Sequence, residues 1–185
     1  METDTRVKSK PYYESIAAND KADFYLFIGE LDQSAHLQTL FDDCPGSKKE
    51  IVTFHLNELS QKTDSITLSV CPSLLSELFS ILPVSSVLYI SGTEAFLWDV
   101  QTLAIDAGLL PEQINLIAPT SLARRVFCTH CYHVMENITH TPVVCEGCGL
   151  PLLVRDHFSR CHSAYVGLNI NAEDAGDIPA KRGFE

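Results

Sequence analysis

Short apolar runs alternate with amphipathic stretches through the first two thirds of the chain. Phe24-Tyr25-Leu26-Phe27-Ile28 is apolar throughout and is bounded by Asp23 and Gly29. A run with no polar face predicts a strand covered on both sides. Beyond it, Leu37, Leu40 and Phe41 recur at helical spacing from Ser34 until Cys44-Pro45-Gly46 stops the helix. Ile51–Phe54 predicts a second strand and Ile66–Val70 a third. Pro72 suits a first helical turn, and Leu74, Leu75, Leu78, Phe79 and Leu82 then share one face until Pro83. Val87-Leu88-Tyr89-Ile90 is the clearest strand. A helical pattern follows from Glu94 to Ala107 (Phe96, Leu97, Val100, Leu103, Ala104), with Gly108 placed to cap it. Ile114–Ile117 reads as a last strand.

Strands and helices alternating over short turns predict an α/β domain, a parallel sheet with helices on both faces. It is expected over residues 21–120. Residues 1–20 mix charges, Pro11 and two tyrosines with no period, and read as a flexible lead-in. A linker begins near Pro119, and a small four-cysteine module of zinc-ribbon or rubredoxin-like type is expected over 121–167. The polar remainder, 168–185, reads as an extended arm or partly disordered tail.

Charge narrows the functional classes. The formal net charge is -11 over 185 residues. Basic residues occur only as scattered pairs such as Lys48-Lys49 and Arg124-Arg125, so a phosphate backbone would be repelled and nucleic acid is not an expected partner. No apolar run has the length of a membrane span, and the polar N-terminus has no secretory h-region. The expectation is a cytoplasmic protein away from the membrane, with its thiols reduced.

That expectation turns the cysteines into metal ligands. Cys128-x-x-Cys131 and Cys145-x-x-Cys148-Gly149 are two paired turns separated by thirteen residues. Each turn aims two sulfurs at one centre while its backbone N–H groups face the thiolates. Gly149 suits a position where positive φ turns the chain back. The intervening segment is expected to form a hairpin that returns the second turn opposite the first. A four-thiolate ion then substitutes for the core that roughly forty residues could hardly supply. Zinc in a closed structural site is expected, with iron in a rubredoxin-like site as the rival. His130, His133 and His140 lie between the pairs and read as surface residues. Cys161 reads as a free thiol, and Cys44 and Cys71 as small buried residues.

In the α/β domain a phosphate loop should follow the first strand. The sequence there is Gly29-Glu30-Leu31-Asp32-Gln33-Ser34, with one glycine and two carboxylates that would repel phosphate. From Val87 through Ser91-Gly92-Thr93 to Pro111-Glu112-Gln113-Ile114, the chain nevertheless resembles the last strand–helix–strand unit of the nicotinamide domain of ferredoxin reductases. That family carries Cys-Gly-Pro where this chain has Ser91-Gly92-Thr93. The resemblance makes those three residues weak candidates for cofactor contact, while a simple helix N-cap accounts for them equally. The family's flavin-domain Arg-x-Tyr-Ser run is missing, so no flavin is expected on this chain.

The C-terminal third carries a more specific likeness. Both cysteine pairs, His157-Phe158-Ser159-Arg160, Ala164-Tyr165-x-Gly167 and the Asn-Ala-Glu segment beyond resemble the small accessory subunit of bacterial dimethylamine monooxygenase, over the whole chain. This resemblance implies two partners: a heme-containing oxygenase subunit and a reductase subunit carrying FMN and a 2Fe–2S cluster. The complex would use NADPH and O2 to demethylate dimethylamine to methylamine and formaldehyde. It implies no catalytic residue in this chain, whose part would be docking or assistance to electron transfer from NADPH to heme. Two other readings stand beside it: an iron electron carrier and a stand-alone NAD(P)H-binding module. Within the shared segment, Arg160 and His157 could grip an acidic patch, a propionate or a phosphate, whereas Phe158 and Tyr165 read as packing residues.

Overall fold

The computed structural model describes residues 9–30, 34–45, 48–54, 72–170 and 176–184. They form two compact units, one of residues 13–120 and the other of residues 1–12 together with 121–185.

The first unit is an α/β domain. Its strands are β1 (Phe24–Glu30), β2 (Lys49–Phe54), β3 (Ser86–Ser91) and β4 (Ile114–Leu116). Its helices are α1 (Ser34–Asp43), α2 (Pro72–Ser80) and α3 (Glu94–Asp106). All the strand pairs are parallel, in the order β2-β1-β3-β4. The expected strand at Ile66–Val70 lies outside the described residues.

Period-two alternation splits β1 and β3 between two cores. Leu26, Ile28, Leu88 and Ile90 face α2 and α3, where they meet Leu75, Phe79, Phe96, Leu97, Val100 and Ala104. Tyr25, Phe27, Val87 and Tyr89 face the other way, onto Leu37, Leu40 and Cys44 of and beyond α1. Phe27 stacks on Tyr89 with centroids 5.0 Å apart and meets the Phe41 ring edge-on at 5.2 Å. Both faces are therefore covered, which is why these strands read as unbroken apolar runs.

The helix ends follow local chemistry. Thr93 caps α3, its Oγ1 accepting the Phe96 N–H. Past the other end, Gly108 takes φ +99°, and the Leu109 N–H reaches back to the Ala104 carbonyl. The sequence pattern marks where α1 stops but not what caps it. Lys49, at the start of β2, donates from Nζ to the carbonyls of Phe41 and Cys44, a cation on the helix's negative end.

The segment read as a lead-in contributes to both units. Tyr13, Ile16 and Ala18 pack on the cores of the α/β domain. The Asn19 N–H donates to the Tyr89 hydroxyl at 2.8 Å. Burial pushes the Tyr89 phenol up to about 12, against the pull of that N–H. Ser9 belongs to the second unit, where its carbonyl accepts the Phe158 N–H.

The second unit is built of strands β5 (Arg124–Cys128), β6 (Val134–Ile138), β7 (His140–Thr141), β8 (Val143–Val144), β9 (Pro151–Ser159), β10 (Ala164–Asn169) and β11 (Arg182–Gly183). Five of them make one sheet in the order β6-β5-β10-β9-β8, and β11 pairs with β7. The expected hairpin between the cysteine pairs is not formed: β6 pairs with β5, and β8 with β9. β10, which follows both pairs in sequence, runs parallel to β5 and antiparallel to β9 and joins the two hairpins. Gly167 permits this, since a Cβ there would lie 2.9 Å from Val126 and 3.0 Å from Leu152. Val126, Met135, Leu152, Val154, Ala164 and Tyr165 are buried, so this unit has an apolar interior of its own. Among the described residues, no helix is long and apolar enough to cross a membrane.

Candidate metal centre

Each cysteine pair occupies the tip of one hairpin. Cys128 ends β5 and Cys131 lies in the turn to β6. Cys145 follows β8 and Cys148 lies in the turn to β9. The two turns share one hydrogen-bond pattern. In the first, the Tyr132 N–H donates to the Cys128 carbonyl and the Cys128 N–H to that of His133. In the second, Gly149 donates to Cys145 and Cys145 to Leu150. The equivalent residues Tyr132 and Gly149 both have positive φ, 63° and 74°. Glycine was the legible half of this symmetry. Tyr132 adopts the same left-handed turn without glycine's freedom, and its ring lies against Phe127 at 5.7 Å.

The four sulfurs converge, all lying within 4.8 Å of one another. Cys128 and Cys148 are 3.9 Å apart, and Cys131 and Cys145 3.6 Å. Four sulfurs at zinc–thiolate distance around a tetrahedral ion would be separated by about 3.8 Å. A disulfide would bring a pair to about 2 Å. The geometry thus fits one ion held by four thiolates, zinc or iron alike, and all four cysteines are free of disulfides. None of His130, His133 and His140 belongs to the cluster. His133 Nε2 lies 3.8 Å from Glu146 Oε2.

Protonation is shared unevenly among the sulfurs. Burial raises the Cys128 thiol, but the N–H groups of Cys131 and His130 aimed at its sulfur more than offset this, and the net direction is down. At Cys145 burial prevails over the N–H groups of Cys148 and Gly147, and the thiol is pushed up. The N–H of His133 favours thiolate at Cys131, and that of Leu150 at Cys148. Burial and neighbouring sulfurs still leave both thiols raised. A cation bound by all four sulfurs must displace whatever protons these thiols hold.

Residues 125–168, which span both turns, match the family described as "Dimethylamine monooxygenase subunit DmmA-like, C-terminal domain".

Over this segment the chain is similar to the DmmA-like subunits.

The heme-dependent oxidative N-demethylase delta subunit of Ectopseudomonas mendocina (strain ymp) is 38% identical to it over 82 residues, which are 44% of this chain and 47% of that protein. The chain thus spans about half the length of the curated relative it matches. No solved structure matches. Within the DmmA-like segment, Phe158 and Tyr165 are buried and meet edge-to-face at 5.2 Å, which makes them packing residues. His157 and Arg160 are exposed.

The cation that the sequence hid is Arg124, just ahead of the matched segment. Its side chain is 7% exposed and pairs with Asp156 at 2.7 Å. Its guanidinium lies 4.1 Å from the ring centroids of both Tyr165 and Phe184. Phe184 comes from the tail, which β11 ties to β7. In the sequence, Arg124-Arg125 is one of several scattered basic pairs, and no local signal marks one member as buried. Ser91, Gly92 and Thr93 lie in the other unit, at the end of β3 and the start of α3.

Proposed function

We propose that this chain is a non-catalytic accessory subunit of a heme-dependent dimethylamine monooxygenase. The observation that carries the proposal is a four-sulfur centre lying wholly inside the segment that matches the DmmA-like family. Zinc bound by Cys128, Cys131, Cys145 and Cys148 would have no open position for substrate. Its role would be to fix two hairpin tips as a rigid surface. That surface would dock on a heme-containing oxygenase subunit or on a reductase subunit carrying FMN and a 2Fe–2S cluster, in the cytoplasm. The assembled complex would consume NADPH and O2 and convert dimethylamine to methylamine and formaldehyde, with heme, flavin and iron–sulfur chemistry in the partners.

Co-expression with the two partner subunits tests this reading. The chain is expected to co-purify with the heme protein in fixed ratio and to be required for full turnover. A complex that turns over at the same rate without it would sink the proposal.

One feature favours a second reading, an iron electron carrier. Cys131 and Cys148 are only half-buried, whereas Cys128 and Cys145 are buried, so one side of the centre faces solvent. Elemental analysis with a visible spectrum separates the two metals. Zinc with no visible band is the expected result, whereas stoichiometric iron with thiolate absorption would favour the carrier.

A further inference from the structure

We infer that Glu30 is an internal anion occupying the phosphate position at the head of α3, so that this helix end does not take a nucleotide phosphate. The inference holds whichever partner the C-terminal unit meets.

In parallel α/β sheets, ligands enter at the carboxyl ends of the strands where the strand order reverses, and phosphates sit on a helix N-terminus there. In the order β2-β1-β3-β4 that reversal lies between β1 and β3. The residues at those ends are Gly29-Glu30 and Ser91-Gly92-Thr93, and α3 begins with Glu94.

Glu30 ends β1 and is 1% exposed. The Thr93 N–H donates to its Oε2 at 2.5 Å, and the Thr93 hydroxyl lies 3.4 Å from its Oε1. A buried carboxylate therefore already receives the N–H at the head of α3, where charge and helix dipole attract. Gly92 makes room for that carboxylate and not for a ligand, since a Cβ on Gly92 would lie 2.7 Å from Glu30 Oε2 and 2.6 Å from the Phe96 ring. On the β1 side, a Cβ on Gly29 would lie 2.7 Å from Leu37 of α1. Both glycines are thus filled against by the domain's own side chains.

A second acid reinforces the exclusion. Glu94, in the first turn of α3, is mostly buried and accepts the Tyr13 hydroxyl hydrogen at 2.9 Å. Trp98 Nε1 donates to the same hydroxyl at 3.1 Å. An incoming pyrophosphate would meet two carboxylates and would have to displace Glu30 from the Thr93 N–H.

Trp98 is the chain's only tryptophan and lies one turn into α3, so its emission reports on this site. The full-length chain is titrated with NADP+ and with inorganic pyrophosphate, following Trp98 emission and melting temperature. The wild type is expected to show no saturable change in either up to millimolar ligand. Glu30→Ala is expected to gain a saturable rise in melting temperature with pyrophosphate. Saturable micromolar binding of NADP+ by the wild type would overturn the inference, and so would a Glu30→Ala variant as indifferent to pyrophosphate as the wild type. Should Glu30→Ala fail to fold, Glu30→Gln keeps the shape and an acceptor while removing the charge. A melting temperature below wild type at neutral pH supports the anion–helix contact, and an unchanged one refutes it.

Discussion

The two units solve the problem of stability in different ways. The α/β domain distributes its stabilisation over two apolar layers, one on each face of a parallel sheet. The C-terminal unit has a smaller apolar interior and gathers four sulfur atoms into one cluster that could hold an ion. Apolar burial is non-directional and divisible, so the first unit should respond to substitution in increments. A coordination sphere is neither, so the second should respond to the loss of one ligand as to the loss of all four.

The largest expected effect is on the metal centre. Cys145→Ser should abolish the site and unfold the C-terminal unit, because apparent binding free energies of structural zinc reach about 10 kcal/mol or more. The α/β domain should keep its own transition. Metal analysis and calorimetry check this, and retained stoichiometric metal would break the comparison.

The matching change in the first unit is smaller. Leu88→Ala removes a fully buried side chain from the layer under α2 and α3. It should cost about 2–5 kcal/mol, read as a lowered denaturant midpoint, with metal content unchanged.

A pH effect separates the two units further. The Tyr89 phenol is raised to about 12 in the folded domain by burial, above its ordinary value of about 10. The folded state therefore holds this proton more tightly than the unfolded state. Its contribution is whole below about pH 10 and is lost as pH rises toward 12, amounting to about 3 kcal/mol at most. Tyr89→Phe should flatten that alkaline loss in the α/β transition. An alkaline profile identical to wild type would assign the loss elsewhere.

The smallest effect tests the symmetry of the two cysteine turns. Gly149 has φ +74° and open space around its Cβ position. Gly149→Ala should therefore cost about 1–2 kcal/mol, from the left-handed conformation alone, with metal retained. Loss of metal on this substitution would show that the turn's conformation and its ligation are inseparable.

Much of the first unit was legible because its signals are local. An apolar run between Asp23 and Gly29 announces β1, Pro72 opens α2, and Gly108 follows the end of α3. Lys49 capping α1 was not legible, because the carbonyls it serves belong to another element. In the second unit, spacing alone picked out Cys128, Cys131, Cys145 and Cys148, and the structure brings those four together. The burial of Arg124 was hidden because its partners, Asp156, Tyr165 and Phe184, are all distant in sequence.

By itself, the sequence determined the alternation of strands and helices and the pairing of cysteines in turns, since both depend on the chemistry of neighbouring residues. Only the tertiary structure decided that β10 would bridge two separate hairpins in place of one hairpin between the pairs. Only it showed Glu30 seated on the head of α3. Those arrangements join residues far apart along the chain, and such contacts are chosen by how the whole chain packs rather than by any local preference.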